Sequence, residues 1–346
     1  MNHASGGRIP GHAPLLAVTR GSGQAQLQGV VEGVHYGSLA IVDERGTLLA
    51  GVGDPEGINF TRSTLKPLQA LPFVRDGGLG RYGFGSQELA LLCASHNGET
   101  MHVDLVRRIL ARVDASEDDL QCGVHAPTYY DATHQQRPAQ FQPGAVHHNC
   151  SGKHSGFLAY CRLHGHGLAT YLDPDAPLQV RIRNAVQEFA PGHTLVAGTD
   201  GCSAPNFAMP LRRLAHAYAR IASDDDPALQ ALFYAMTRHP DLVSGTARTD
   251  LALMDTGRGD WVCKIGADGM QTIGVRSRGL GIAVRIAGGS TWALHAATVD
   301  VLHQIGLLDD PGASALAPYF RPDIRNARGT RTGLTQPLFT LPRLVS

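Results

Sequence analysis

Arg62-Ser63-Thr64-Leu65-Lys66-Pro67-Leu68-Gln69-Ala70-Leu71 is the stretch on which the reading of this 346-residue chain turns. It reads as a helix opening with a serine, with a lysine three residues on. That spacing puts both side chains on one helix face. A hydroxyl beside an amine is the smallest machinery for a Ser-Lys nucleophile. The bare S-x-x-K pattern also recurs by chance and fits a solvated helix start. Pro67 is tolerated only in the first helical turn, which sets Ser63 near an N-terminus with unpaired N–H groups. Arg62 and Lys66 flank the serine, and Lys264 returns later in a similar context.

Around this stretch the composition narrows the class. The chain is 43% hydrophobic and 17% charged with a formal net charge of zero, so it has no basic footprint for nucleic acid. No apolar run approaches a membrane span, and the first residues lack the basic and apolar blocks of a signal peptide. Six cysteines at 93, 122, 150, 161, 202 and 263 are too few for a disulfide scaffold in a chain of this length. A soluble cytoplasmic protein is expected.

Strand-like runs lie at 14–20, 26–36, 38–42 and 47–52, with Asp43-Glu44-Arg45-Gly46 as a hairpin turn. Helices are expected at 63–75, 86–95, 100–113, 153–164, 175–188, 207–223 and 227–238. Strands return at 261–266, 270–275 and 281–286, followed by a helix over 290–305 and then, over 306–346, loops with room for another short helix. Strands at both ends around a helical middle predict one antiparallel sheet built from the two termini, with the helices on its face. The expected organisation is a disordered tail over 1–12 and a single composite domain over 13–346.

Several motifs compete for the chemistry. Gly78-Leu79-Gly80-Arg81-Tyr82-Gly83 matches a dinucleotide fingerprint in letters but follows a helix, so a glycine-rich interhelical turn is the better reading. Ser95-His96-Asn97 reads either as cap residues or as a second hydroxyl-plus-amide element facing Ser63. His148-Asn149-Cys150-Ser151-Gly152-Lys153-His154 is dense in polar groups and leads into a helix, where small residues allow close approach of a ligand. Cys150 here and Cys202 in Gly198-Thr199-Asp200-Gly201-Cys202 are either buried structural thiols or metal ligands.

Ser63-Thr64-Leu65-Lys66, Ser95-His96-Asn97 and Lys264-Ile265-Gly266 together resemble the three-motif set of penicillin-recognising serine enzymes, but depart from it at His96 and Ile265. With Cys150-Ser151-Gly152-Lys153-His154 and Thr199-Asp200-Gly201-Cys202 added, the chain resembles the rhizobial-type L-asparaginases, the asparaginase II family, over about residues 14–340. The resemblance implies an α/β (α+β) fold of β-lactamase and penicillin-binding-protein type, a homodimer, and hydrolysis of L-asparagine to L-aspartate and ammonia. It implies Ser63 as nucleophile with Lys66 as its base, and Ser95 with Lys264 as a second Ser-Lys pair. Cys150, Lys153 and Cys202 would hold a zinc ion. Arg62, His96, Asn97, His154 and Asp200 would line the substrate pocket. A lysine base near neutrality needs its pKa depressed by about three units, and burial, a second cation and zinc all push that way. Rival readings are another amidase of the same fold, a glutaminase or β-lactamase-like enzyme, and a non-catalytic zinc or amino-acid-binding protein.

Overall fold

The main sheet draws its strands from both ends of the chain. The structure, a computed structural model, describes residues 11–21 and 29–344. In chain order the strands are β1 (Ala13–Arg20), β2 (Val30–Val42), β3 (Leu48–Val52), β4 (Ile58–Phe60), β5 (Val196–Thr199), β6 (Pro205–Pro210), β7 (Trp261–Gly266), β8 (Met270–Val275), β9 (Leu280–Ile286), β10 (Ile324–Arg325) and β11 (Arg331–Pro337). Eight of them form one antiparallel sheet in the order β10-β11-β1-β2-β9-β8-β7, with β3 also paired to β2. β2 does double duty: Val30–Gly37 pairs with β1, while Gly37–Val42 pairs with β9. The expected sheet of two termini is therefore present, with the helical middle of the chain packed against it.

The helix Leu211–Ser223 covers the sheet with a face of Leu211, Leu214, Ala215, Tyr218 and Ala222, the spacing that makes one apolar stripe. It comes unusually close because the sheet offers glycines beneath it. A Cβ at Gly281 would lie 2.0 Å from the Ala215 carbonyl oxygen, and one at Gly274 2.2 Å from that of Tyr218. Seven helices fall where the periodicity puts them, among them Thr100–Arg112 and Pro227–Arg238.

Some elements differ from the sequence reading. The helix expected from 207 starts at Leu211, because Pro205–Pro210 is the central strand of a small second sheet, β4-β6-β5. Every residue of β6 is buried, so its apolar run carries no period and blends into the helix that follows. The expected C-terminal loops contain β11, whose partner β1 lies more than 300 positions away in sequence (Thr19 pairs with Leu334). Long-range pairing of that kind leaves no local signal. Gly78–Tyr82 is a short helix and not a turn, and Thr249–Gly257 is a helix that was not foreseen. Of the expected tail, residues 1–10 lie outside the described residues. Gly11 and His12 are held, by Asp54 and by the Ser38 hydroxyl.

Gly281→Ala is expected to lower stability by about 1–3 kcal/mol, because the added methyl must push the helix off the sheet. Urea unfolding of the purified protein measures this. An unchanged midpoint would mean the helix does not rest on the sheet at this point.

Candidate active site

The site begins where β4 ends. Thr61 bonds to β6 through its amide and hydroxyl, both reaching the Phe207 carbonyl. Arg62 then adopts a left-handed backbone, φ +51°, a conformation unfavourable for a side chain this large. Asn206 of β6 over-determines it: its Oδ1 accepts from the Arg62 amide at 3.0 Å and its Nδ2 donates to the Arg62 carbonyl at 3.0 Å. Residues Arg62–Leu65 form a 3₁₀ turn that runs directly into the helix Lys66–Arg75, with Pro67 in its first turn. Ser63 thus sits half-buried on a clamped turn, and Lys66 follows it fully buried.

Lys66 Nζ donates to the Ala94 carbonyl at 2.6 Å and to Ser95 Oγ at 2.8 Å. The second motif is therefore joined to the first through this lysine. Ser95 itself lies just past the helix Ser86–Leu92, on an extended segment stitched to residues 243 and 244 by the amides of Ser95 and Asn97. The pairing expected between Ser95 and Lys264 is replaced here: Lys264 Nζ donates to Asp250 Oδ2 at 3.4 Å and to the Ile265 carbonyl at 3.0 Å. Burial, helped by the nearby Lys66 and Arg248 cations, lowers the Lys264 pKa to about 8, with Asp250 opposing the change.

Cys150, Lys153 and Cys202 converge beside this centre. Lys153 Nζ donates to Cys202 Sγ at 3.0 Å, and all three side chains are buried. A hydrogen bond from Cys202 holds the Cys150 thiol well below its usual range against the cost of burial, with the Lys66 and Lys153 charges assisting. Burial works against the Lys153 ammonium, but Cys202 and Cys150 outweigh it and raise its pKa. Asp200 accepts from Arg62 Nε at 2.8 Å and from the Gly201 amide at 2.9 Å. Burial pushes its carboxyl up, yet Lys153, Arg62 and that amide hold it below the ordinary range. Arg62 also reaches Asp268.

The remaining residues of the expected pocket divide. His154 is buried with Nδ1 2.7 Å from the Tyr171 hydroxyl, which itself accepts from the Gln121 amide at 2.7 Å. The Tyr171 hydroxyl, with one donor and a second lone pair left, can pair with either tautomer of His154. Burial lowers the His154 pKa to about 4 while Cys202 opposes it, so the ring is neutral near pH 7. His96 is turned away, bonded to the Ser151 hydroxyl at 2.9 Å and to the Gly98 amide, and burial drives its pKa well down. Asn97 Nδ2 donates to the Thr246 carbonyl, while its Oδ1 is buried without a partner. A cavity of about 420 Å³ opens beside Arg62 and Asp200, lined also by Asn59, Asn206, Asp268 and Arg285.

The zinc that the resemblance implies can be tested against these donors. Two buried thiols, one already favouring the thiolate, meet an amine at a single point, and two soft sulfurs with a nitrogen suit zinc with an open position. Among the described residues no cluster of three or more histidine, cysteine or acidic side chains suited to a metal occurs. A ligand set built on these thiols would include Lys153, which must give up its proton to bind although the two sulfurs favour its ammonium form.

Two features escaped the sequence reading. Asp250 sits in the first turn of the unforeseen helix Thr249–Gly257, where nothing local distinguishes it. The other has a plain signal: the chain holds 27 arginines but only three lysines, Lys66, Lys153 and Lys264, and all three are in this centre.

Fold and site together define a mixed α/β protein that buries a hydroxyl-amine pair beside two thiols, an arrangement suited to acyl transfer. The chain belongs to the L-asparaginase II family, which matches residues 24–337, and is thereby an amidohydrolase. No curated protein matches it. Among solved structures it is similar to a β-lactamase candidate from Bacteroides dorei, at 12% identity and TM-score 0.39 over 78% of this chain and 93% of that one. It is also similar to a β-lactamase from Mycobacterium bovis, at 15% identity and TM-score 0.33 over 77% and 93%. Mglu in its native form gives 15% identity and TM-score 0.37 over 79% of this chain and 61% of that one. These are distant likenesses.

Removing the Asn206 clamp tests the turn. Asn206→Ala leaves the Arg62 amide and carbonyl unpaired in a largely buried position, and should cost about 1–3 kcal/mol in urea unfolding. A loss below a few tenths of a kcal/mol would show that the turn holds without it.

Proposed function

We propose that this amidohydrolase is a serine-dependent L-asparaginase that uses Ser63 as its nucleophile. The observation that carries the reading is the buried chain Lys66–Ser95, set one turn from a half-buried serine on a clamped turn, in a member of this family. Ser63 Oγ attacks the carboxamide carbon while its proton passes toward Lys66 Nζ. The C–N bond then breaks, the departing nitrogen takes a proton and leaves as ammonia, and the aspartyl group remains esterified to Ser63. Water hydrolyses this ester and restores the hydroxyl. Ser95, hydrogen-bonded to Lys66, supplies a second hydroxyl through which a proton can be relayed. The cavity beside Arg62 offers both signs of charge, Arg62 and Arg285 against Asp200 and Asp268, as a zwitterionic amino acid requires. Zinc would be held by Cys150, Lys153 and Cys202, and would supply fixed positive charge at the edge of the pocket. A homodimer in the cytoplasm belongs to the same proposal. No helix among the described residues is long and apolar enough to cross a membrane.

Purified protein given L-asparagine is expected to release ammonia, with L-glutamine a far poorer substrate because the extra methylene misplaces its carboxamide. A simple apolar slot would discriminate by only about 1–3 kcal/mol. Ser63→Ala should abolish turnover and leave the unfolding midpoint nearly unchanged. Activity within about tenfold of wild type would remove Ser63 as nucleophile, since losing a nucleophile costs several orders of magnitude. Equal kcat/KM for the two amides would favour a glutaminase.

Metal analysis of the purified protein should give about one zinc per chain, and Cys150→Ala and Cys202→Ala should each release it, because one thiolate leaves too few soft ligands. The fold should survive in both, its core being large enough without a metal. Zinc absent from wild type, or fully retained by both variants, would remove the site.

A further inference from the structure

Asp250 is a buried acid to which neither the family reading nor the reaction above gives a role. It is 1% exposed, and its ion pair with Lys264 joins two side chains that are both wholly buried. Its two oxygens meet only donors. Oδ2 accepts from the Ile265 amide at 2.8 Å and from Lys264 Nζ, while Oδ1 accepts from Gln271 Nε2 at 3.0 Å. The fixed parts of this cradle come from three elements, the helix Thr249–Gly257 and strands β7 and β8. The desolvation cost of a buried ion pair of this kind can exceed its Coulomb attraction, so the pair is weak evidence for a stabilising role. Lys264 Nζ is spent on Asp250 and on the Ile265 carbonyl, and Ser95 is bonded by the other lysine, Lys66.

We propose that Asp250 is a positioning residue of the site, which fixes Lys264 as an ammonium ion so that Lys264 acts as a standing positive charge and not as a base for Ser95. The proposal rests on the Ser63 amidohydrolase reading and departs from the two equivalent Ser-Lys pairs that the resemblance implies. A fixed cation within electrostatic reach of Lys66 stabilises the negative charge that gathers on a serine oxygen as its proton leaves, and costs no reorganisation at that moment. The groups acting on Lys264 are Asp250, which favours its charge, and Lys66 and Arg248, which oppose it; the buried Cys93 thiol feels the charge of both lysines. Asp250 in turn is approached by Tyr218, Cys263 and His295, from the sheet and the two helices packed around it. Because burial brings Lys264 to about 8, the charge is present at neutral pH and is lost as pH rises through that value. Without Asp250 nothing answers burial and the Lys66 and Arg248 charges, and the ammonium is lost at lower pH.

The three lysines make the test direct. Protein labelled with ¹³C-lysine should show three ε-methylene resonances, with that of Lys264 assigned by its disappearance in Lys264→Met. In wild type this resonance should titrate near pH 8, and in Asp250→Asn its midpoint should fall by about one unit or more. With L-asparagine, wild-type kcat should decline as Lys264 loses its proton. In Asp250→Asn that decline should move down with the resonance, and kcat at neutral pH should fall about tenfold or more while KM changes little. Asp250→Glu, which keeps the charge, should restore much of both. A midpoint unmoved in Asp250→Asn, or unaltered kcat despite a moved midpoint, overturns the proposal. So does wild-type activity that rises through the Lys264 titration, a result readable even if no Asp250 variant folds. Wild-type protein that releases ammonia from no amide fails the parent reading instead, and the lysine titration then still decides whether Asp250 holds the charge.

Discussion

Three amines buried in one place are the constraint around which this structure is arranged. An amine that gives up water must find partners inside the protein, and a charged one left unpaired would cost several kcal/mol. Each lysine has its own solution. Lys66 turns to a backbone carbonyl and a serine hydroxyl, Lys153 to a cysteine sulfur, and Lys264 to a carboxylate and a carbonyl. A chain that otherwise uses arginine for its surface charge has placed its only lysines where their compact, tunable amines are worth the burial.

The fold exists in a form that makes these partners meet. Lys264 rides on β7 at the edge of the main sheet, Lys66 on the helix that leaves β4, and Lys153 on the helix Ser151–Leu163. The small sheet β4-β6-β5 fixes the approach of Arg62 and Ser63 through Asn206, and its β5–β6 turn delivers Asp200 and Cys202. A left-handed arginine directly before the serine is a strained point, and it lies where the backbone is held from both sides.

How far this was readable from sequence follows from what each part depends on. The sheet of two termini was legible because β1, β7, β8 and β9 carry their own apolar runs and turns. β11 was not, because its pairing is supplied by a strand at the other end of the chain. Lys66, Lys153, Cys150 and Cys202 were legible as motifs, and the structure does bring them together. Which lysine bonds which serine was not legible, because reach depends on the angle between elements and not on spacing. Asp250 was invisible for a similar reason, being an ordinary acid in an ordinary helix until Lys264 is set against it. The scarcity of lysine was in plain view as composition and marks the centre better than any single motif.

The central claim is that Ser63 carries the acyl group, and trapping that group tests it most directly. Protein mixed with L-asparagine, quenched in acid within milliseconds to seconds and digested with protease should yield a peptide containing Ser63 that bears an added aspartyl ester. The ester should be absent from Ser63→Ala and from unreacted protein. An aspartyl ester found on Ser95, or ammonia released at full rate by Ser63→Ala with no ester on any residue, would contradict the account.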